Sequence, residues 1–390
     1  MGCSSSKPEL DSDSIYADRM KAGVEGLTIS EELMIFSSSE EDDKAAAVDE
    51  TKKLTHVPPS LKNYRNVVSW LPNSSQDTGA IKGIIVIAHG VLGHAQSHHK
   101  EGCAYAKAGY AVYAMDHVGH GLSSGIHGRV DSWESCVEDY VCFVDSMKAK
   151  HPVGTPVIMY GHSFGSLVTL LAAKSVTNLK AVITSGCPYI AGPGSASLFG
   201  CACLYPLSQW SFIAKVGACM AFIDPMGPTA PLYAEEVTGD PELVKANERD
   251  PRRRHMWMIN STATTTLTMI DQLKYTSVLA DIKVPTFVAH GKDDTICYAK
   301  GSMEVFTKLG TPNNEKEVHL IPGLKHEICS DVEPRSTAIL EDMVKFAQKH
   351  MGSVAAAASS GTEGISTDVE GVRRLRAATE VELKTMLATK

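Results

Sequence analysis

The chain has 390 residues, of which 43% are hydrophobic, and this predicts one large buried core with additional segments at its ends. Its formal net charge of −8 argues against a basic surface for nucleic acid, and its apolar runs are too short for a membrane-spanning helix. The ten cysteines show no paired metal-binding spacing and follow no secretory signal, so we expect reduced thiols, no metal and no other cofactor.

The first residues, MGCSSSK, match the pattern for fatty acylation. Gly2 becomes terminal once Met1 is removed, Ser6 stands at the position that N-myristoylation requires, and Cys3 is available for S-palmitoylation. One myristoyl chain binds a membrane only marginally, and the acidic segment that follows cannot supply a basic second signal. We therefore expect acyl chains on Gly2 and Cys3 to hold the protein at the cytoplasmic face of a membrane, foremost the plasma membrane. The alternative is a chance Met-Gly start.

Two terminal segments differ in composition from the rest of the chain. Residues 1–55 are Ser-rich and acidic, which predicts a mostly disordered arm. Within this arm, GLTISEELMIF (26–36) is expected to form a short helix or a docking element. Residues 351–390 form an Ala/Ser/Gly linker followed by a stretch with helical spacing of apolar residues. That stretch is either an amphipathic helix with a partner or a weak solvated helix.

Residues 56–350 alternate between short apolar runs and helix-like stretches. The apolar runs lack polar alternation, as is typical of strands buried on both faces. They are GIIVIAH (83–89), AVYAMD (111–116), PVIMYG (156–161), AVITSG (181–186), TFVAHG (286–291) and VHLIPG (318–323). The alternation predicts an α/β fold with a parallel, doubly wound sheet. About 187–275 contains no comparable strand, so we interpret it as a cap inserted over the carboxyl ends of the strands, where ligands bind in such sheets.

The pattern G-x-S-x-G occurs twice, and the surrounding residues distinguish the two serines. Ser163 follows the buried run PVIMY directly and precedes the helical run LVTLLAAK, which is the strand–turn–helix context of a nucleophile elbow. Gly161 and Gly165 supply the small residues that the tight turn needs. Ser123 stands several residues beyond its strand, and GIHGRV after it does not begin a helix. We therefore predict that Ser163 is a nucleophile and Ser123 a loop residue, the alternative for Ser163 being a structural turn.

A serine hydroxyl needs a base, and the base needs an orienting acid. The chain order Ser, acid, His is the order of α/β-hydrolases. Asp293 and Asp294 follow one predicted strand, and His326 follows the last one. His319 is a weaker candidate because it falls within a strand, where a packed core histidine is the usual reading. His290 and His89 also end strands and are interpreted as structural.

A tetrahedral intermediate needs two backbone N–H donors for its oxyanion. Phe164, the residue after the nucleophile, is expected to supply one of them. The loop HGVLGH (89–94) follows a strand and is placed to supply the other, with Val91 as the predicted donor. The same region contains His94, His98 and His99. The stretch HAQSHH (94–99) itself contains no acidic or cysteine ligand, which disfavours a metal site.

From about Asn66 to His350 the chain resembles the monoglyceride lipase and lysophospholipase group of α/β-hydrolases, which is often placed with the serine aminopeptidases. Five motifs in order give the resemblance: AHGVLGH (88–94), DHVGHGLSSG (116–125), GHSFGS (161–166), HGKDDTIC (290–297) and GLKH (323–326). In that group the acid stands three residues after the glycine that ends its strand, which implies Asp294. Animal members carry a Glu and an Arg near the bound glycerol, where this chain has Gly93 and Ser97. It is closer to plant-type members, whose substrates vary more.

Together these features predict a membrane-anchored serine hydrolase that cleaves a lipid monoester, a monoacylglycerol or a lysophospholipid, through an acyl-enzyme. One alternative is an esterase or thioesterase that acts on another acyl substrate, acylated proteins included. Another is a non-catalytic receptor or scaffold with a hydrolase fold. The intact set Ser163, Asp294 and His326 argues against the latter, because a binding module has no need of all three. The sequence indicates no particular protein partner.

Overall fold

The structure is a computed structural model that describes residues 23–35, 63–73, 81–190, 221–253 and 257–351. The strands in these ranges are β1 Leu27–Ile35, β2 Tyr64–Pro72, β3 Ile84–Ala88, β4 Ala111–Met115, β5 Val157–His162, β6 Leu179–Ser185, β7 Pro228–Pro231, β8 Trp257–Ile259, β9 Thr286–Gly291 and β10 Lys316–Ile321. The helices are α1 His99–Lys107, α2 Trp133–Ala149, α3 Phe164–Ala172, α4 Ala234–Val237, α5 Pro241–Arg249, α6 Asn260–Tyr275, α7 Val278–Asp281, α8 Ala299–Lys308 and α9 Arg335–Met351.

Eight strands form one sheet in the order β1-β2-β4-β3-β5-β6-β9-β10. The pairs β1–β2 and β2–β4 are antiparallel, and every other pair is parallel. All six strands predicted from apolar runs are present, and the mostly parallel sheet is that of an α/β-hydrolase. Parallel strands place their carboxyl ends at one edge of the sheet, and this edge is where the loops after β3, β5, β9 and β10 meet.

Helices cover both faces of the sheet, which explains why its central strands are apolar without alternation. In β3, Ile84 and Val86 pack into the core on the side of α2, α3 and α8. The alternate residues Ile85 and Ile87 pack into the core on the side of α1 and α9. Because both orientations end in a dry core, every position of such a strand favours an apolar residue.

Strand β1 corrects two predictions for the amino-terminal segment. GLTISEELMIF is not a helix: Leu27–Ile35 pairs along its whole length with β2, antiparallel, and extends the edge of the sheet. Leu27 and Ile29 pack against the core while Thr28 and Ser30 are exposed, which is the period of a half-buried strand. The 1–55 arm therefore contains an ordered strand. Of the two alternatives for this segment, the docking element is the one observed, because the strand docks on the edge of the main sheet.

The segment from about 187 to 275 was expected to contain no strand comparable to the apolar runs of the main sheet, and its described residues contain two short strands of another kind. Strands β7 and β8 form a small antiparallel pair of their own, separate from the main sheet. Helices α4, α5 and α6 also lie in the described cap region. Among the helices of the described ranges, none has both the length and the apolarity that crossing a bilayer requires. Gly2, Cys3 and the 352–390 segment lie outside the described residues.

Candidate active site

Ser163 stands in a strained turn between β5 and α3. Its φ of 51° and ψ of −121° lie in a region that non-glycine residues rarely adopt. A Cβ atom at Gly161 would lie 2.3 Å from the carbonyl oxygen of Gly165, and one at Gly165 would lie 2.0 Å from that of Ala88. Neither position can hold a larger residue without movement of the backbone. The two glycines of the motif are therefore steric requirements of this turn, as the sequence predicted.

Hydrogen bonds to the neighbouring strand hold the turn in place. The Ser163 amide donates to the Ser185 carbonyl at 2.8 Å, at the carboxyl end of β6. Ser166, fully buried, donates its hydroxyl to the carbonyls of Gly161 at 2.8 Å and Ser185 at 3.0 Å. These bonds compensate for the strained backbone. The sequence analysis did not identify Ser166 or Ser185.

Asp294 and His326 meet at the same edge of the sheet, in the loops after β9 and β10. His326 Nδ1 lies 2.7 Å from Asp294 Oδ2, and the two residues are 5% and 4% exposed. The other carboxylate oxygen accepts from the amides of Ile296 at 2.8 Å and Cys297 at 2.9 Å. This arrangement fixes the carboxylate and orients the imidazole. Asp293, in contrast, is exposed.

The electrostatics of the pair follow from this burial and contact. Burial alone would raise the pKa of Asp294, but His326 and His290 beside it lower that pKa well below the ordinary carboxyl value. Burial alone would lower the pKa of His326, and the Asp294 carboxylate reverses this, so that the pKa of His326 is raised above its ordinary value. The imidazole can therefore take up a proton next to a carboxylate that stays ionised, as general base catalysis requires.

The loop after β3 lies directly against Ser163. A Cβ atom at Gly90 would be only 3.1 Å from the Ser163 Cβ. The loop then turns sharply, with the Gly93 amide donating to the Gly90 carbonyl at 3.0 Å and Leu92 at a φ of 57°. Val91 lines the pocket at this turn, and Phe164 begins α3 next to Ser163. Both predicted oxyanion donors are thus in elements that border the Ser163 side chain.

A pocket opens over Ser163 and His326. Its apolar wall comes from the loop after β3 (89–94, the predicted oxyanion loop), from the cap and from the loop after β9. The apolar residues are Val91, Leu92, Leu232, Val237 and Ile296. A second part of the wall is polar and consists of Ser97, His98, His162, Arg253 and Glu327. The pocket therefore has the mixed lining of a small-molecule site.

A network of buried charges, which the sequence analysis missed, connects β1 to the cap and to the oxyanion loop. Glu31 in β1 accepts from Arg252 in the cap, Nη1–Oε1 being 2.7 Å and Nη2–Oε2 3.2 Å. Asp250 precedes Arg252 by two residues in the sequence. Its Oδ2 lies 2.6 Å from Nε2 of His94, and both side chains are fully buried. Asp116 accepts from the Ala95 amide at 2.6 Å. The cap and the oxyanion loop are thus held to the sheet by charged contacts.

The remaining polar candidates have structural contacts. Ser123 lies in a loop, donates to the Asp116 carbonyl at 2.7 Å and accepts from the Asn66 amide at 2.9 Å, which confirms its reading as a loop serine. His89 Nδ1 lies 2.7 Å from the Gly90 carbonyl oxygen. His290 Nε2 lies 2.9 Å from Asp294 Oδ2, the same carboxylate oxygen that contacts His326, and helps to fix its position.

His94 and His98 have acidic partners, which lie outside the stretch HAQSHH in the sequence. Both are buried, and each faces a carboxylate, Asp250 for His94 and Glu101 for His98, the latter at 2.9 Å. One ring nitrogen of each histidine makes this contact. Within the ranges that the structure describes, no group of three or more His, Cys, Asp and Glu side chains is arranged to hold a metal ion.

Comparison with known proteins agrees with this architecture. The family described as serine aminopeptidase, S33 matches residues 79–333. The chain is 27% identical over 285 residues to the monoacylglycerol lipase of Mycolicibacterium smegmatis, covering 72% of this chain and 92% of that protein. It is 25% identical over 279 residues to the caffeoylshikimate esterase of Arabidopsis thaliana, covering 68% and 77%. A solved structure of Saccharomyces cerevisiae monoglyceride lipase superposes with a TM-score of 0.63 at 21% identity, covering 75% and 93%.

Proposed function

Because the chain belongs to the serine aminopeptidase S33 family of α/β-hydrolases, we propose that it is a serine hydrolase that cleaves a lipid monoester, a monoacylglycerol or a lysophospholipid. The observation that supports this most is the buried Asp294–His326 contact of 2.7 Å in the pocket that Ser163 lines. The similarity to monoacylglycerol lipases over most of both chains supports the lipid ester as the substrate class.

In the proposed reaction, the Ser163 hydroxyl attacks the ester carbonyl while His326 Nε2 takes its proton. Asp294 holds the imidazole and stabilises the imidazolium that forms. The amides of Val91 and Phe164 donate to the oxyanion of the tetrahedral intermediate. His326 then gives the proton to the leaving alcohol, and an acyl-enzyme remains on Ser163. Water activated by His326 releases the fatty acid.

A direct test uses purified protein on matched esters. Monoacylglycerols, lysophospholipids and short aryl esters should be compared with a hydroxycinnamate ester, because the similarity to a caffeoylshikimate esterase favours a non-lipid ester as the second candidate. Turnover of a lipid monoester in preference to the aryl and hydroxycinnamate esters agrees with the proposal. Labelling of Ser163 by a fluorophosphonate without turnover of any lipid ester would contradict the substrate class. The absence of labelling would favour a non-catalytic protein.

We further propose that the enzyme works at the cytoplasmic face of a membrane, held by a myristoyl chain on Gly2 and a palmitoyl chain on Cys3. Gly2→Ala should release the protein into the soluble fraction, because palmitoylation follows membrane visits that the myristoyl chain provides. Cys3→Ser should leave weak, reversible binding, since one chain alone is marginal. Fractionation of the tagged proteins measures both, and a Gly2→Ala protein that still pellets with membranes would contradict the acyl anchor.

A further inference from the structure

The loop that carries the predicted oxyanion donor Val91 has a strained turn, and its position depends on what holds its two ends. Leu92 has a φ of 57°, which a residue other than glycine keeps only when its surroundings hold it there. At one end the loop continues from the buried strand β3. At the other end it continues into residues 94–96, which are at most 2% exposed. The contacts of residues 94–96 therefore help to fix the Val91 amide.

Two carboxylates from distant segments of the chain hold the first two residues of this stretch. Nε2 of His94 lies 2.6 Å from Oδ2 of Asp250, which belongs to the cap. The Ala95 amide donates to Oδ1 of Asp116, just after β4, at 2.6 Å. Both carboxylates are at most 5% exposed. Because polar contacts are stronger away from water, these two connect the loop firmly to the cap and to the sheet.

The third carboxylate is that of Glu31, in strand β1 of the amino-terminal arm. Its Oε2 accepts from the Gln96 side-chain amide at 3.1 Å, and its Oε1 accepts from the Asn66 side-chain amide at 2.8 Å. Both oxygens also accept from Arg252. Strand β1 lies outside residues 79–333, which the family match covers, so this contact reaches the loop from outside the matched domain.

Arg252 connects the three carboxylates to one another. Its side chain is 6% exposed. Burial alone would lower the pKa of its guanidinium, and the three carboxylates raise that pKa above its ordinary value. One buried guanidinium thus interacts with the arm, the sheet and the cap together. Removal of any one carboxylate changes the charge that the other two face, and with it the contacts that hold residues 94–96.

We propose that Glu31 is a positioning residue for the oxyanion hole: by holding Gln96 and Arg252, it keeps the loop after β3 where the Val91 amide donates to the oxyanion. This inference rests on the proposed serine hydrolase and adds to it a residue from the amino-terminal arm. The oxyanion forms only during the reaction, so a displaced donor weakens binding of the transition state more than binding of the substrate. Docking of β1 thereby contributes to turnover as well as to the fold.

The test measures hydrolysis of para-nitrophenyl butyrate, a short soluble ester, by the full-length protein. Glu31→Ala should lower kcat and kcat/KM alike, by about tenfold or more, because a displacement of about 1 Å near a reacting group can cost a factor of up to about 10². KM should change little. Gln96→Ala removes one hydrogen bond and should lower both constants in the same way, by roughly three- to tenfold.

Two further variants show where the effect arises. The double variant Glu31→Ala/Gln96→Ala should lose less activity than the product of the two single losses, because both changes release the same stretch of loop. Glu32→Ala is the matched control on β1, since Glu32 pairs with Lys150 at the surface, and its kcat should equal that of the wild type. Every assay is made at a temperature at which thermal unfolding shows that variant to be folded, so lost stability does not enter kcat.

An inhibitor that forms an oxyanion separates positioning from a general loosening of the pocket. The Ser163 oxygen adds to the carbonyl carbon of an alkyl trifluoromethyl ketone, the hydroxyl proton passes to His326, and the carbonyl oxygen becomes the oxyanion of a hemiketal. The Ki of this ketone should rise in Glu31→Ala by the factor by which kcat/KM falls. The Ki of the alcohol with the same carbon skeleton, which forms no adduct, should change by less than about twofold.

Unchanged kcat in both Glu31→Ala and Gln96→Ala would overturn the positioning role and leave the serine hydrolase standing. Equal rises in Ki for the ketone and the alcohol, or a double variant that loses the full product of the single losses, would overturn it as well. A wild-type protein that hydrolyses no ester and binds the ketone no more tightly than the alcohol would instead overturn the proposed function, and the positioning role with it. If Glu31→Ala does not fold, kcat and the two Ki values of Gln96→Ala decide.

Discussion

Replacing Glu31 with alanine should destabilise the fold by about 3 kcal/mol, although Glu31 belongs to an edge strand. The change removes both hydrogen bonds from the Arg252 guanidinium, at 2.7 and 3.2 Å, and leaves that charge 94% buried without its closest acceptor. Removing one partner of a buried pair costs about 3–5 kcal/mol. The Glu31 side chain is 20% exposed, and Asp116 and Asp250 still face Arg252, so the lower end of that range applies.

The measurement is thermal unfolding, in which a loss of this size should lower Tm by roughly 4–6 °C for a domain of this length. Glu32→Ala is the matched control on the same strand. Glu32 pairs with Lys150, but the side chains are 49% and 43% exposed, so this change should cost about 1 kcal/mol or less. If the two variants unfold at the same temperature, the Glu31 contact does not stabilise the fold and the reasoning is refuted.

Ser163→Ala should abolish ester hydrolysis and fluorophosphonate labelling, whereas Ser123→Ala should retain both; labelling that persists in the first variant would contradict the nucleophile. Asp294→Asn should lower kcat by roughly three orders of magnitude or more, since the imidazole loses its acceptor, while the exposed Asp293 tolerates the same change; the reverse pattern would identify Asp293 as the acid. The base must be unprotonated, and the pKa of His326 is raised above 6.5, so a pH–rate profile should lose activity as pH falls through an inflection above that value. An inflection below it would contradict the Asp294 contact.

The parts of the fold that the sequence predicted are those whose cause is local. A run such as Ile84–Ala88 is apolar at every position because helices cover both faces, and this information is contained in five consecutive residues. The turn at Ser163 is equally local, since the close contacts that require Gly161 and Gly165 arise within one tight turn and the adjacent strand. The order of Ser163, Asp294 and His326 along the chain then predicted which residues form the candidate site.

The parts that escaped prediction depend on contacts between distant residues. Strand β2 contains Arg65 and Asn66, which are 4% and 0% exposed, and a polar residue at such a position does not suggest a buried strand. The side-chain amide nitrogen of Asn66 donates to the carboxylates of Glu31 and Asp116. Likewise His94 and Asp250 are 156 residues apart, so neither sequence position indicates the other. Local patterns contain no trace of such pairs.

The direction of β1 has a consequence for the proposed attachment of the protein to a bilayer. Because β1 runs parallel to β4 and β5, Leu27 lies at the edge of the sheet opposite to Ser163. Under the proposed acylation of Cys3, the residues that join Cys3 to Leu27 would have to cover the whole height of the sheet, about 30 Å along a nine-residue strand, before the pocket could face the lipid. The 24-residue separation from Cys3 to Leu27 reaches at most about 80 Å, which leaves ample slack. Deleting about a dozen residues between Cys3 and Leu27 would remove most of this slack. A series of such deletions would measure how far from the bilayer the pocket can still take up its substrate.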